Sequence, residues 1–164
     1  MRLRPIQPDD APRLQAFHSR LSPNTIYLRW LHAHPVLSDA EAAQLAQVDY
    51  VTRMAYIATT GQVPDEQIVG VARYGLVEPG AAEAAVVVED AYQGRGLGTT
   101  LLGRLMQYAQ AQGIRFWLAE INAENARMLR FINRGGFPVA RHFEGGSVQV
   151  RLDIADAKPT QPDG

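Results

Sequence analysis

The spacing of apolar residues along the chain changes several times, and each change marks an element. Ala84 to Val88 is an unbroken apolar run rich in Val, the length and composition of a buried strand. Asp90 to Gly98 carries no apolar period. From Thr99 the spacing turns helical, with Leu101, Leu102, Leu105, Met106 and Ala109 on one stripe and Gly113 placed as a left-handed C-terminal cap. Strand, glycine-bearing loop and helix follow in order, so the loop is a helix N-terminus.

The remaining pattern surrounds this unit. Leu3 to Ile6 reads as an edge strand, because Pro5 and Pro8 exclude a central one. Asp9 or Asp10 caps a helix carrying Leu14 and Phe17. Ser22-Pro23 opens a second, with Ile26, Tyr27, Trp30 and Leu31 as its apolar face and Arg29 exposed. Ser38 and Glu41 form the capping box of a short third helix. Met54 to Thr60 and Gln67 to Leu76 predict antiparallel strands, and Glu78-Pro79-Gly80 turns the chain into the central one. Ile114 to Ile121 predicts a strand buried on both faces and, one helix after its neighbour, parallel to it. Asn122 or Asn125 caps a helix with Met128, Leu129 and Ile132 on its inner side, ended by Gly135-Gly136. Pro138 to Phe143 and Ser147 to Ile154 close a hairpin. The expected architecture is α/β: a single domain over 1–154 with one mixed central sheet flanked by helices, then a disordered polar tail over 155–164.

Composition narrows the chemistry. At 164 residues, 46% hydrophobic and 20% charged, the chain is sized for one globular domain. No apolar run approaches a membrane span, and no signal-peptide core follows Met1, so a cytoplasmic protein without membrane partners is expected. A net charge of −1 gives no electrostatic footprint for nucleic acid. The absence of Cys excludes disulfides and an acyl-cysteine intermediate, so any transferred acyl group must pass directly from donor to acceptor. His18, His32, His34 and His142 lack the spacing of a helical metal pair, and no metal is expected. His32 and His34, at a helix end before Pro35, are expected to face solvent.

The loop Gln93-Gly94-Arg95-Gly96-Leu97-Gly98 has the makings of a pyrophosphate site. A helix start offers unpaired N–H groups and the positive end of the helix dipole. Glycines at 94, 96 and 98 permit positive φ and close backbone approach, and Arg95 adds a cation. A Walker loop is excluded, since no Lys opens the helix. A dinucleotide fingerprint is closer, with Glu120 near the distance of a ribose-binding acid. Against it, Asp90 to Gln93 are inserted before the first glycine, the third glycine comes one position early, and too little chain follows for a doubly wound sheet.

These residues resemble the acyl-CoA pyrophosphate loop, Q/R-x-x-G-x-G/A, of the GNAT family of N-acetyltransferases. Asn125 to Phe137, N-A-R-M-L-R-F-I-N-R-G-G-F, resembles that family's second signature. Y-L-R-W (Tyr27 to Trp30), V-D-Y (Val48 to Tyr50), V-G-V-A-R-Y (Val69 to Tyr74) and A-E-A-A-V-V-V (Ala82 to Val88) look most like the GNAT domains of bacterial Pat-type protein lysine acetyltransferases. The resemblance implies acetyl-CoA as acyl donor, held by Gln93 to Thr99 and Asn125. Val86, Val87 and Val88 would pair the pantetheine arm, with the backbone of Val87 or Val88 beside the thioester as oxyanion donor. It also implies a protein lysine, or else a small amine, as acceptor and a monomer or homodimer as the working unit.

An amine must be neutral to attack a thioester, and deprotonating a free lysine at pH 7 costs about 4 to 5 kcal/mol. Glu83 is the candidate base, expected to be buried in an apolar strand and matching the strand glutamate of lysine-acetylating family members. Glu120 is the reserve, with pairing to an arginine such as Arg127 as its alternative role. Glu89 and Asp90 are expected to face solvent as turn residues. Where many family members carry a Tyr acid, counting back five from Phe137 finds Ile132, a departure shared with Pat-like domains. A non-catalytic acyl-CoA sensor would keep the loop and lose the base.

Overall fold

The computed structural model describes residues 1–158. Its strands are β1 (Arg2–Pro5), β2 (Arg53–Thr60), β3 (Gln67–Glu78), β4 (Ala81–Val88), β5 (Phe116–Asn122), β6 (Val139–Glu144) and β7 (Ser147–Asp153). They form one seven-stranded sheet in the order β1-β2-β3-β4-β5-β7-β6. All neighbours are antiparallel except β4 and β5, which are parallel as the intervening helix requires.

Helices cover the two faces unequally. On one face α1 (Ala11–Arg20), α2 (Pro23–Trp30) and α3 (Asp39–Ala46) pack on β2 and β3 through Leu14, Phe17, Ile26, Ile57 and Val71. On the other, α4 (Leu97–Ala111) and α5 (Ala126–Arg134) join Leu101, Leu105 and Ile132 to Val69, Trp117 and Val150. Strand alternation sorts the valines of β4: Val86 and Val88 pack toward α4, Val87 toward the opposite core. Close contact sets α4 on the sheet, because a Cβ at Gly70 would come within 2.9 Å of Leu101 Cδ1.

The predicted caps of α2 and α3 form, whereas Asp10 stands at the N-cap of α1 with its carboxylate turned to Arg4 and Gln7 N instead. Ser22 Oγ accepts from Thr25 N at 3.1 Å, and the Ser38/Glu41 box makes both its bonds. Three expectations need correction. Tyr27 is 46% exposed while Arg29 is half-buried, because α2 turns Thr25 and Ile26 inward and Leu31 then ends it at φ 62°. Strand β5 is buried on one face only: Trp117 and Ile121 are covered by α4 and α5, whereas no helix covers Phe116, Leu118 and Glu120. Of the expected tail, 155–158 is docked, since Gln110 Nε2 donates to Ile154 O and Ala157 O at 2.7 Å each. The rest of that tail lies outside the described residues.

Candidate active site

Only three pairs join β4 to β5, Ala81 with Phe116, Ala82 with Trp117 and Glu83 with Leu118. Beyond them β4 keeps its ladder to β3 as far as Val88, and β5 keeps its ladder to β7 as far as Asn122. The two strands separate, and a cleft opens between them. Arg29, Ala84, Ala85, Val86, Trp117, Ala119, Glu120, Asn125 and Ile132 are among the residues lining it.

The backbone of β4 presents polar groups to this cleft. Glu89 N donates to Val69 O at 2.9 Å, so the ladder to β3 uses the odd-numbered residues, Val87 included. Val86 and Val88 turn their N–H groups the other way, toward β5. Val87 is thus engaged with Val71 and is not the oxyanion donor expected of it. Trp117 Nε1 is a buried donor with no acceptor among the described residues.

At the cleft's end the glycine loop enters α4. Gly94 (φ 75°) and Gly96 (φ 80°) are left-handed, whereas Gly98 already belongs to the helix with negative φ. The helix starts at Leu97 rather than Thr99, with Gly96 as a cap lacking any side chain. Its first hydrogen bond is from Thr100 N to Gly96 O, which leaves the N–H groups of Gly98 and Thr99 without intrahelical acceptors. Arg95 is exposed and rests over Tyr92 at 5.5 Å. Gln93 is locked: its Nε2 donates to Val88 O and Thr25 Oγ1, and its Oε1 accepts from Arg127. Arg127, whose Nη2 lies 3.7 Å from where a Gly94 Cβ would stand, is a second cation at the loop that the sequence reading did not assign. Two residues after Asn125 in the second signature, it stands in the sequence reading only as a possible partner of Glu120.

Of the two acidic residues before the loop, Asp90 is exposed as expected but held by hydrogen bonds, whereas Glu89 does not face solvent. Glu89 is largely buried against Arg20 at 3.1 Å. Asp90 accepts from Ser22 N, Ser22 Oγ and Thr25 Oγ1, tying α2 to the loop. Desolvation would raise the Asp90 carboxyl, but these donors outweigh it and hold it below its ordinary value.

Glu83 and Glu120 lie on the α1 to α3 side of the sheet and line a second, open groove with Val77, Arg141, His142 and Arg151. Glu83 is exposed; the enclosure expected of it is missing because β5 diverges just past Leu118. Glu120 borders both cleft and groove, and accepts from Ser147 Oγ at 2.8 Å rather than pairing with Arg127. Asn125 caps α5 through Met128 N and also lines the cleft. Ile132 is buried there, and no hydroxyl-bearing side chain lines the cleft.

Arg29 was read as exposed and His34 as solvent-facing; neither is. Burial pushes the Arg29 guanidinium down, partly offset by the charge of Glu83, and the group stacks on Trp30 at 4.6 Å. His34 also stacks on Trp30, with ring centroids 4.4 Å apart, and its Nε2 lies 2.8 Å from Glu41 Oε2. Among the described residues no cluster of three or more His, Cys, Asp or Glu could hold a metal, and no helix is long and apolar enough to cross a membrane.

A parted parallel pair leading to a glycine-bounded helix start is decided by comparison. The model of the acetyltransferase (GNAT) family matches residues 23–137. The chain belongs to the GNAT family. It is 35% identical to an acetyltransferase of Pseudomonas aeruginosa over 77% of this chain and 68% of that one. It is 29% identical to the acetyltransferase Pat of Mycolicibacterium smegmatis over 98% of this chain, and spans about half, 48%, of that protein. The crystal structure of the GNAT domain of S. lividans PAT superposes with a TM-score of 0.82 at 32% identity, covering 92% of this chain and 89% of that domain. More distant structures sharing the GNAT fold, at 17 to 21% identity, hold CoA or acetyl-CoA. The protein is a GNAT-type acetyltransferase.

Proposed function

We propose that this GNAT protein moves the acetyl group of acetyl-CoA directly to a protein lysine, with Glu83 as the base. The observation that carries the reading is the divergence of β4 and β5 beyond Glu83 and Leu118. It leaves Val86 and Val88 N–H groups facing a cleft whose far end is the helix start, with Glu83 in the open groove that meets this cleft at Glu120.

In this reading the pyrophosphate lies against the N–H groups at Gly94 to Thr99, beside Arg127 and Arg95. The pantetheine arm runs along β4, with Asn125 across the cleft. The thioester oxygen takes the N–H of Val86 or Val88, donors that gain strength as negative charge develops there. Glu83 accepts the proton of the incoming ammonium, directly or through one water. The amine nitrogen then bonds the carbonyl carbon, the nitrogen gives its second proton to water, the carbon–sulfur bond breaks and a thiolate leaves. Ile132 supplies no proton, but a thiol with pKa near 8.5 makes a tolerable thiolate, and water can protonate it. The groove over β5 and β7, with no helix above it, suits a protein surface better than a small amine would need.

Incubating the protein with isotopically labelled acetyl-CoA and a cytosolic extract tests this, with Glu83→Gln as control. Label in protein lysines supports the reading. Label confined to small amines keeps the chemistry and replaces the acceptor, and binding without transfer would favour a sensor.

A further inference from the structure

One guanidinium group lines the cleft and a second lies on the next strand, opposite the cleft-lining Ala85 in the ladder, neither in a salt bridge among the described residues. Arg29 of α2 lines the cleft with Ala84 to Val86. Arg73 of β3 pairs in register with Ala85, one position in the ladder's alternation from Gly75 and Glu83. Its side chain shares a face with Val71, which packs toward α1 to α3, and so emerges on the face that carries Glu83. Gly75, opposite Glu83, puts no side chain between them.

Both cations are half-buried. Among the described residues neither has a carboxylate within ion-pair distance: Arg73 donates to Leu45 O at 3.1 Å, and Arg29 has the Trp30 ring and the more distant charge of Glu83. Burial, then the neighbouring charges of Arg29 and Arg53, push Arg73 down to about 9, which still leaves it cationic at neutral pH. A partly desolvated cation pair is costly unless an anion completes it, and guanidinium favours a carboxylate, which it can bind in bidentate fashion.

We infer that Arg29 and Arg73 form an anion subsite, so that the acceptor's amine is accompanied by a carboxylate. This rests on the proposed acetyl transfer and specifies its substrate class. The carboxylate comes either from an acidic side chain beside the accepting lysine or from the α-carboxylate of a free amino acid, and the test separates these sources.

The test measures binding of acetylated products to the CoA-loaded protein alongside turnover of the corresponding amines. One pair of peptides carries a lysine beside a glutamate or beside a glutamine; a second pair is an amino acid and its carboxamide. The inference expects the carboxylate member of one pair to bind about ten- to hundredfold tighter and to show a correspondingly lower KM. Arg29→Gln and Arg73→Gln should each abolish that preference by weakening the charged member far more than the neutral one, and Arg73→Lys should restore part of it. Preference within the peptide pair identifies an acidic protein site, and preference within the other pair a free amino acid. Turnover with no preference in either pair overturns the inference and leaves acetyl transfer standing. Preferential binding without turnover supports the subsite and overturns the proposed chemistry. A loss affecting charged and neutral members equally would make the arginines structural and overturn the inference.

Discussion

Glu83 and Leu118 are the last residues paired between β4 and β5. Each strand has a complete ladder on its other side, so parting costs only the inner hydrogen bonds. Those bonds are the ones a ligand's amides can replace. The position of Glu83 at the fork therefore fixes both where the cleft begins and where a base would stand.

The loop makes a direct prediction for binding. Gly96 caps α4 at φ 80°, where a β-branched side chain is strained by about 1 to 2 kcal/mol and would also crowd the N–H groups. Gly96→Val should weaken acetyl-CoA binding about tenfold or more in calorimetry while the circular dichroism spectrum is kept. Arg127→Met should weaken it less, with a loss that shrinks as salt is raised.

Asp90 joins the loop to α2 through Ser22 and Thr25. Asp90→Ala leaves Thr25 Oγ1 and the α2 entry without these bonds, an expected loss of about 1 to 2 kcal/mol in urea unfolding. Because α2 also carries Arg29, the KM for the acceptor should rise in the same variant, with acetyl-CoA affinity less affected.

How far could such links be read from sequence? Periodicity located β4, α4 and the hairpin because each repeats one spacing over several residues. The parting of β4 from β5 has no such signal, since Ala84 to Val88 and Leu118 to Ile121 read as ordinary strand. The burial of Glu89 and the bonds of Asp90 have no such signal either: their partners Arg20, Ser22 and Thr25 lie some seventy residues away and meet them only when the sheet forms. Tyr27, Arg29 and Trp30 were assigned by hydrophobicity, but the stacked Trp30–His34 pair and the cleft reverse who is covered. The loop's backbone was legible because its shape is local, set by the left-handed glycines at 94 and 96.

Acid stability depends on a buried network at the sheet edge. Asp10, 1% exposed, accepts from Arg4 Nη1 and Nη2 and Gln7 N at 2.8 Å each and from Arg13 at 3.2 Å. Burial alone would raise its carboxyl, but Arg4, Gln7 and Arg13 more than reverse this and hold it below the ordinary value. A carboxyl lowered in the folded state contributes stability above its unfolded pKa of about 3.9, and that contribution is lost as pH falls through the folded value. Asp10→Asn should cost about 3 kcal/mol at pH 7 and flatten the decline in stability below about pH 4, measured by denaturant titrations across pH.

The base assignment is tested most directly by one comparison of wild type with Glu83→Gln, reading acetyl-CoA affinity and kcat together. Glu83 is exposed at the fork and contacts neither the loop nor α4, so affinity should be unchanged. With a lysine acceptor, kcat should fall by about a hundredfold or more, the range expected for loss of a positioned base. A variant that binds acetyl-CoA normally and turns over as fast as wild type would contradict the role given to Glu83.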